Sequence, residues 1–84
     1  MQIQILTPSG KIFEGEGTSV RVPGTGGQFE VLENHAAIVS SLDPGTIRII
    51  LADGSIKNVE IQSGFIEVLK NEVALLVTIA EAAA

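Results

Sequence analysis

Apolar and polar residues alternate with a period of two along nearly the whole chain, and a helical period is hardly present. In Gln2–Leu6 the alternation puts Ile3 and Ile5 on one face, and Thr7-Pro8-Ser9-Gly10 ends the run with a turn cluster. Lys11–Glu14 reads as a second short strand. Ser19–Val22 sends Val20 and Val22 one way and Arg21 the other. Pro23-Gly24-Thr25-Gly26-Gly27 then breaks the chain, because glycine accepts the positive φ that tight turns demand. Gln28–Leu32 resumes alternation through Phe29 and Val31. Asn34–Leu42 fits neither the helical nor the strand template. Asp43-Pro44-Gly45 is a turn, with proline presetting φ. Thr46–Ala52 is the clearest strand, with Ile47, Ile49 and Leu51 inward and Arg48 outward.

Beyond it, Asp53-Gly54 between two alternating runs predicts a type I′ hairpin turn. Ile56 and Val59 are three apart, a phase slip that predicts a β-bulge. Ser63-Gly64 starts another turn, Phe65–Leu69 another strand, and Lys70-Asn71-Glu72 a further turn. Val73, Leu75, Val77 and Ile79 mark the last strand, before an AEAAA ending that reads as a flexible tail over residues 80–84. Short alternating strands with turn signals at this spacing predict an all-β fold, a small flattened β-sandwich or barrel of about ten short strands in two sheets. No linker, repeat or second domain is visible, so residues 1–84 read as one domain.

Composition narrows what such a domain does. An apolar fraction of 45% is enough to fill a small core, and the absence of cysteine removes disulfides and thiolate metal sites as staples. Ten acidic against five basic residues give a net charge of −5, the wrong sign for a nucleic-acid partner or an anionic membrane surface. The longest apolar runs fall far short of the roughly 20 residues of a membrane-spanning helix. The opening MQIQILTPSG has no positive region followed by an apolar one, so no signal peptide is expected.

Candidate chemistry is sparse. The Gly-rich stretch Gly24–Gly27 continues into a strand rather than a helix or a GK[ST] ending, so it reads as a turn and not a phosphate cradle. His35 is the single histidine, which excludes a multi-His metal site, and Ser40 and Ser41 lack a nucleophile-elbow context. The carboxylates are scattered over turns and outward strand positions, without the convergence that acid/base catalysis needs. Three Phe as the sole aromatics give no stacking platform for oligonucleotides. Neither a cofactor, a metal nor catalysis by this chain alone is expected.

Residues 20–49, VRVPGTGGQFEVLENHAAIVSSLDPGTIRI, carry a more specific signal. The VxVPG opening, Gly27, Val31, the His35-Ala36 pair, Leu42, Pro44-Gly45 and Ile49 recur in order and at matching spacing in the N-terminal β-sandwich domain of F-type ATP synthase epsilon subunits, which this chain resembles. The TPSGKIFEG segment is similar to that family's first hairpin, and SGFIEV to its GGFxEV strand, with Ser63 replacing the first glycine. Where the family has P-G-H-A-P, this chain has Glu33-Asn34-His35-Ala36-Ala37. Asn34 tolerates left-handed φ and can stand in for the glycine.

The resemblance implies a non-catalytic rotor subunit of the central stalk, packed against the gamma subunit and seated on the polar loops of the membrane c-ring. It would couple proton translocation to ATP synthesis, with alpha and beta reached indirectly. It also implies a peripheral place on the cytoplasmic face of the bacterial inner membrane. Gln28 matches a position that faces the c-ring, with Phe29 and Glu30 adjoining. His35 and Ile38, Val39 and Ser40 match the neighbouring lower surface shared with gamma, where an outward Ile38 or Val39 would be the apolar anchor. The chain ends at Ala84, where family members usually continue into a helical hairpin, so hairpin-based inhibition and ATP binding are not expected. The alternative is a free-standing β-sandwich module that binds another protein.

Overall fold

The computed structural model describes residues 1–79, and the tail expected over 80–84 lies outside the described residues. Seven strands follow one another: β1 (Gln2–Thr7), β2 (Gly10–Gly24), β3 (Gly27–Leu32), β4 (Ile38–Leu42), β5 (Gly45–Leu51), β6 (Ile56–Leu69) and β7 (Glu72–Ile79). All are hydrogen-bonded into one continuous sheet that folds over on itself. Two long strands make this possible. The first part of β2 pairs with β1, and its second part with β3 and β5. Likewise, the first part of β6 pairs with β5, and its second part with β4 and β7. The first layer is therefore β2–β1–β7–β6–β4, and the second β3–β2–β5–β6.

The all-β sandwich expected from alternation is present, with fewer and longer strands than the turn signals suggest. Lys11–Glu14 and Ser19–Val22 belong to one strand, which shifts register between Gly17 and Ser19. A side chain at Gly17 would strike the Ile3 Cδ1 and crowd the Ile50 carbonyl oxygen at 3.0 Å, so the crossing between layers needs glycine there. In β6, Ser63-Gly64 is not a turn but the kink where the strand changes layers, beside a register shift between Ile61 and Ser63. The bulge expected between Ile56 and Val59 is absent, because β5 and β6 pair without interruption from Ile50↔Ile56 to Gly45↔Ile61. Ile56 simply faces outward, half exposed.

Turn chemistry also differs in one place. Asp53-Gly54 is not type I′, since Gly54 has positive φ (89°) and Asp53 does not. Gly54 N–H donates to the Leu51 carbonyl, and Asp53 Oδ1 accepts from Ser55 N–H (2.9 Å) and Ser55 Oγ (2.6 Å). An aspartate that binds its own following backbone favours this arrangement over a mirror-image turn. The hairpin turn with two successive positive φ values is Lys70-Asn71, at 50° and 64°, between the paired Leu69 and Glu72. Asn34 adopts φ 61°, as its substitution for glycine requires.

Between the layers lies a core made almost wholly of Ile and Val: Ile3, Ile5, Val20, Val22, Val31, Ile47, Ile49, Ile61, Ile66, Val68, Val73 and Val77, with Leu42 and Leu75. Branching at Cβ suits these side chains to a pleated surface. Each one buried is worth roughly 1.5–3 kcal/mol relative to exposure. Met1 is buried too, and its ammonium group donates to the Gly17 carbonyl (3.0 Å) and to Glu33 Oε1 (3.1 Å). The core is closed without any help from the outer faces.

Candidate functional site

Strand register fixes which side chains share the outer face of the first layer. Leu6 stands beside Leu76, Leu76 beside Phe65, and Phe65 beside Ser41, one residue from each of β1, β7, β6 and β4. The next row holds Gln4, Ala74, Glu67 and Val39. Phe65 is 58%, Leu76 51% and Val39 71% exposed, so an apolar band faces water in the middle of a sheet. At its end lies a groove of about 490 Å³ floored by Leu6, Leu42, Phe65 and Leu76 and bordered by Thr7, Pro8 and Ser41.

Gly64 shapes that groove. A Cβ there would come within 2.5 Å of the Leu76 carbonyl oxygen, so the kink in β6 and the close approach of β7 both depend on its missing side chain. The β2–β3 turn, with Gly24 paired to Gly27, is laced to the same end of the sandwich. Thr25 N–H donates to the Ser41 carbonyl (3.1 Å), the Thr25 and Ser41 hydroxyls are 3.0 Å apart, and Asp43 N–H donates to the Pro23 carbonyl (2.7 Å). These bonds tie the β2–β3 turn, the base turn, to β4 and to the turn that follows it.

The seven residues singled out in the sequence fall in three places. Gln28 and Glu30 point outward from β3 on the second layer, Gln28 beside the base turn. Glu30 is held by Ser19, whose hydroxyl donates to Glu30 Oε2 at 2.5 Å. Val39 points outward on the first layer. Phe29 and Ile38 are instead half-buried against the core, and Ser40 is half-buried with its hydroxyl donating to the Ser41 carbonyl (3.1 Å). Of the two candidate anchors, then, Val39 is the outward one. His35 lies in the loop beyond the far end of β3, its Nδ1 2.8 Å from the Ala36 carbonyl oxygen. The length of β3, about 20 Å at strand rise, separates His35 from the base turn that carries Gln28, so the two do not share one surface patch.

Leu6, Phe65 and Leu76 are the residues that the alternation argument passed over. A usable signal was there: at Ile5-Leu6, Phe65-Ile66 and Leu75-Leu76-Val77 the apolar residues occupy both phases of the strand, so both faces had to be apolar. Chemistry is scarce on these surfaces. The Asp53 carboxyl is held below the usual carboxylate range by the Ser55 hydroxyl and then the Ser55 N–H. Among the described residues, no three His, Asp or Glu side chains converge as a metal cluster, and no helix is long and apolar enough to cross a membrane.

Comparison with known proteins bears directly on this architecture. Residues 1–83 match the family model described as ATP synthase, Delta/Epsilon chain, beta-sandwich domain. The ATP synthase epsilon chain of a Nitratiruptor species is 42% identical over 77 residues, covering 92% of this chain and 60% of that relative. This chain thus spans about 60% of the length of that relative. The epsilon chain of Chlorobium limicola is 39% identical over 75 residues, which cover 89% of this chain and 85% of the relative. In fold, the chain is similar to one in the cryo-EM structure of the Euglena gracilis mitochondrial ATP synthase, with a TM-score of 0.86 at 21% identity, over 94% of this chain and 51% of that one. A chain from the Tetrahymena thermophila mitochondrial ATP synthase central stalk and c-ring gives 0.77 at 16% identity, over 93% and 63%. With its alternating core, its kinked two-layer strands and a family match over nearly every residue, the chain belongs to the β-sandwich domain family of the ATP synthase Delta/Epsilon chain.

Proposed function

We propose that this chain is a non-catalytic rotor subunit of an F-type ATP synthase, a clamp in the central stalk that joins the gamma subunit to the membrane c-ring and couples proton translocation to ATP synthesis. The observation that carries this reading is the apolar band Leu6–Leu76–Phe65, with Val39 beside it, on a face the core does not need. Contiguous exposed apolar surface of this kind marks an interface. The gamma subunit covers the band and its groove, with Val39 as the outermost anchor. The base turn carrying Gln28 meets the polar loops of the c-ring, and Glu30 lies on the rim, where charge tunes register and encounter more than affinity. Phe29, Ile38 and Ser40 support these contacts from within, and His35 fixes the loop that leads into β4.

The whole sandwich acts as one rigid domain, and alpha and beta are reached through gamma. The protein sits peripherally on the cytoplasmic face of the bacterial inner membrane, held there by the complex. The role needs neither bound nucleotide nor a helical brake. It is tested with membrane vesicles whose ATP synthase has been stripped of its own epsilon subunit. Adding the purified chain restores ATP-driven proton pumping, read as quenching of a pH-sensitive dye. Failure to restore pumping, where an epsilon chain from a relative succeeds, overturns the proposal.

A further inference from the structure

The outer face of the second layer carries a charge arrangement that neither the fold nor the rotor role uses. Arg21 and Arg48 stand directly opposite each other on β2 and β5. Like charges in that relation destabilise a strand pair. The chain carries twice as many acidic as basic residues, yet two of its five cations sit side by side here. Neighbouring carboxylates could relieve the repulsion and do not. Glu30 on β3 stands opposite Arg21 on β2, but its carboxylate accepts from the Ser19 hydroxyl at 2.5 Å. Glu60, on the strand next to Arg48, accepts from Thr46 Oγ1. Among the described residues, neither arginine makes an ion pair.

One row along the strands, Ile50 and Ile56 are paired, with Leu32 at the far side of the same row, and Leu32 and Ile56 are each about half exposed. The two rows are two residues apart along each strand, roughly 7 Å. That is also the spacing of alternate side chains on one face of an extended peptide. Small-molecule sites are concave, and neither the first-layer groove nor the smaller cavities beside Gln4 and beside Val39 are lined by Arg21, Arg48, Leu32, Ile50 or Ile56. Guanidinium forks match carboxylates in a bidentate manner. We infer that this face docks an extended acidic segment of a partner protein, in which a carboxylate is received between Arg21 and Arg48 and the apolar residue two positions along rests on Ile50 and Ile56. The inference is independent of the rotor assignment, because it uses neither the apolar band nor the base.

The test is an NMR titration of the 15N-labelled full chain with a synthetic peptide of repeated Asp-Thr-Leu-Thr. Saturable shifts are expected at the amides of Arg21, Arg48 and Ile50. A peptide with Asn for every Asp, and the R21Q/R48Q chain, should each bind at least tenfold more weakly. Arg48→Lys keeps the charge but removes the fork, and should weaken binding several-fold; it also serves if the double variant fails to fold. Absence of saturable shifts with the Asp peptide overturns the proposal. So does equal binding by the Asn peptide or by both variants, and so does inorganic phosphate that shifts the same amides while the peptide adds nothing.

Discussion

On the first layer's outer face, register brings Leu6, Leu76 and Phe65 together, whereas the matching row of the second layer reads Glu30, Arg21, Arg48 and Asn58. Both layers follow the same pleat and send the same Ile and Val side chains into the shared core. Their inner faces are interchangeable in kind, but outside, the second layer sets a charged row beside its own apolar residues Leu32, Ile50 and Ile56. Folding explains the first fact and not the second. A core needs one apolar face per layer, so an apolar band on the other side of the first layer answers to something outside the chain. On the second layer, the unpaired Arg21 and Arg48 leave the charged row open to a partner of opposite sign.

That contrast can be broken most severely at the hinge between the layers. Gly64→Ala places a Cβ against the Leu76 carbonyl, 2.5 Å away, where backbone must move. The expected loss is about 1–3 kcal/mol, the usual cost of overpacking, read from urea unfolding. An unchanged midpoint would mean that β6 does not need its kink to serve both layers.

A finer probe separates the layers by pH. Asp53, in the turn from β5 to β6 of the second layer, has its pKa lowered by hydrogen bonds from Ser55. A depressed carboxylate contributes stability that is fully present above its unfolded pKa and is lost as pH falls through the lower folded value. The NMR midpoint of the Asp53 carboxyl should therefore lie below that of an unstructured peptide carrying the same Ala-Asp-Gly-Ser sequence. Asp53→Asn should remove that part of the acid-side dependence and leave the first layer unaffected. Equal midpoints in chain and peptide would contradict the capping geometry.

Much of this was legible in the sequence, for identifiable reasons. Alternation placed Ile3, Ile5, Val20, Val22, Ile47, Ile49, Val73, Leu75 and Val77 inward, because half-buried strands tolerate little else. The positive φ of Asn34 followed from its place in a loop where the resemblance calls for glycine. What stayed hidden depends on long-range pairing. The strands looked short because Gly17 and Ser63-Gly64 resemble turns locally; only their partners β5, β4 and β7 keep β2 and β6 extended through them. The Ser19–Glu30 bond joins residues eleven apart, and no local pattern announces it. Gln28 and His35 are close in sequence, yet the strand between them sets them at opposite ends.

The central claim is that the first layer's outer face binds the gamma subunit. It is tested most directly by calorimetric titration of the purified gamma subunit from the same synthase into the chain, comparing Phe65→Asp with Ile56→Asp. Both residues are about half exposed and lie on opposite layers, so both substitutions should leave stability within about 0.5 kcal/mol. Phe65→Asp should weaken gamma binding at least tenfold, about 1.4 kcal/mol or more, while Ile56→Asp leaves it unchanged. Equal affinity for the wild-type and Phe65→Asp chains would contradict the account.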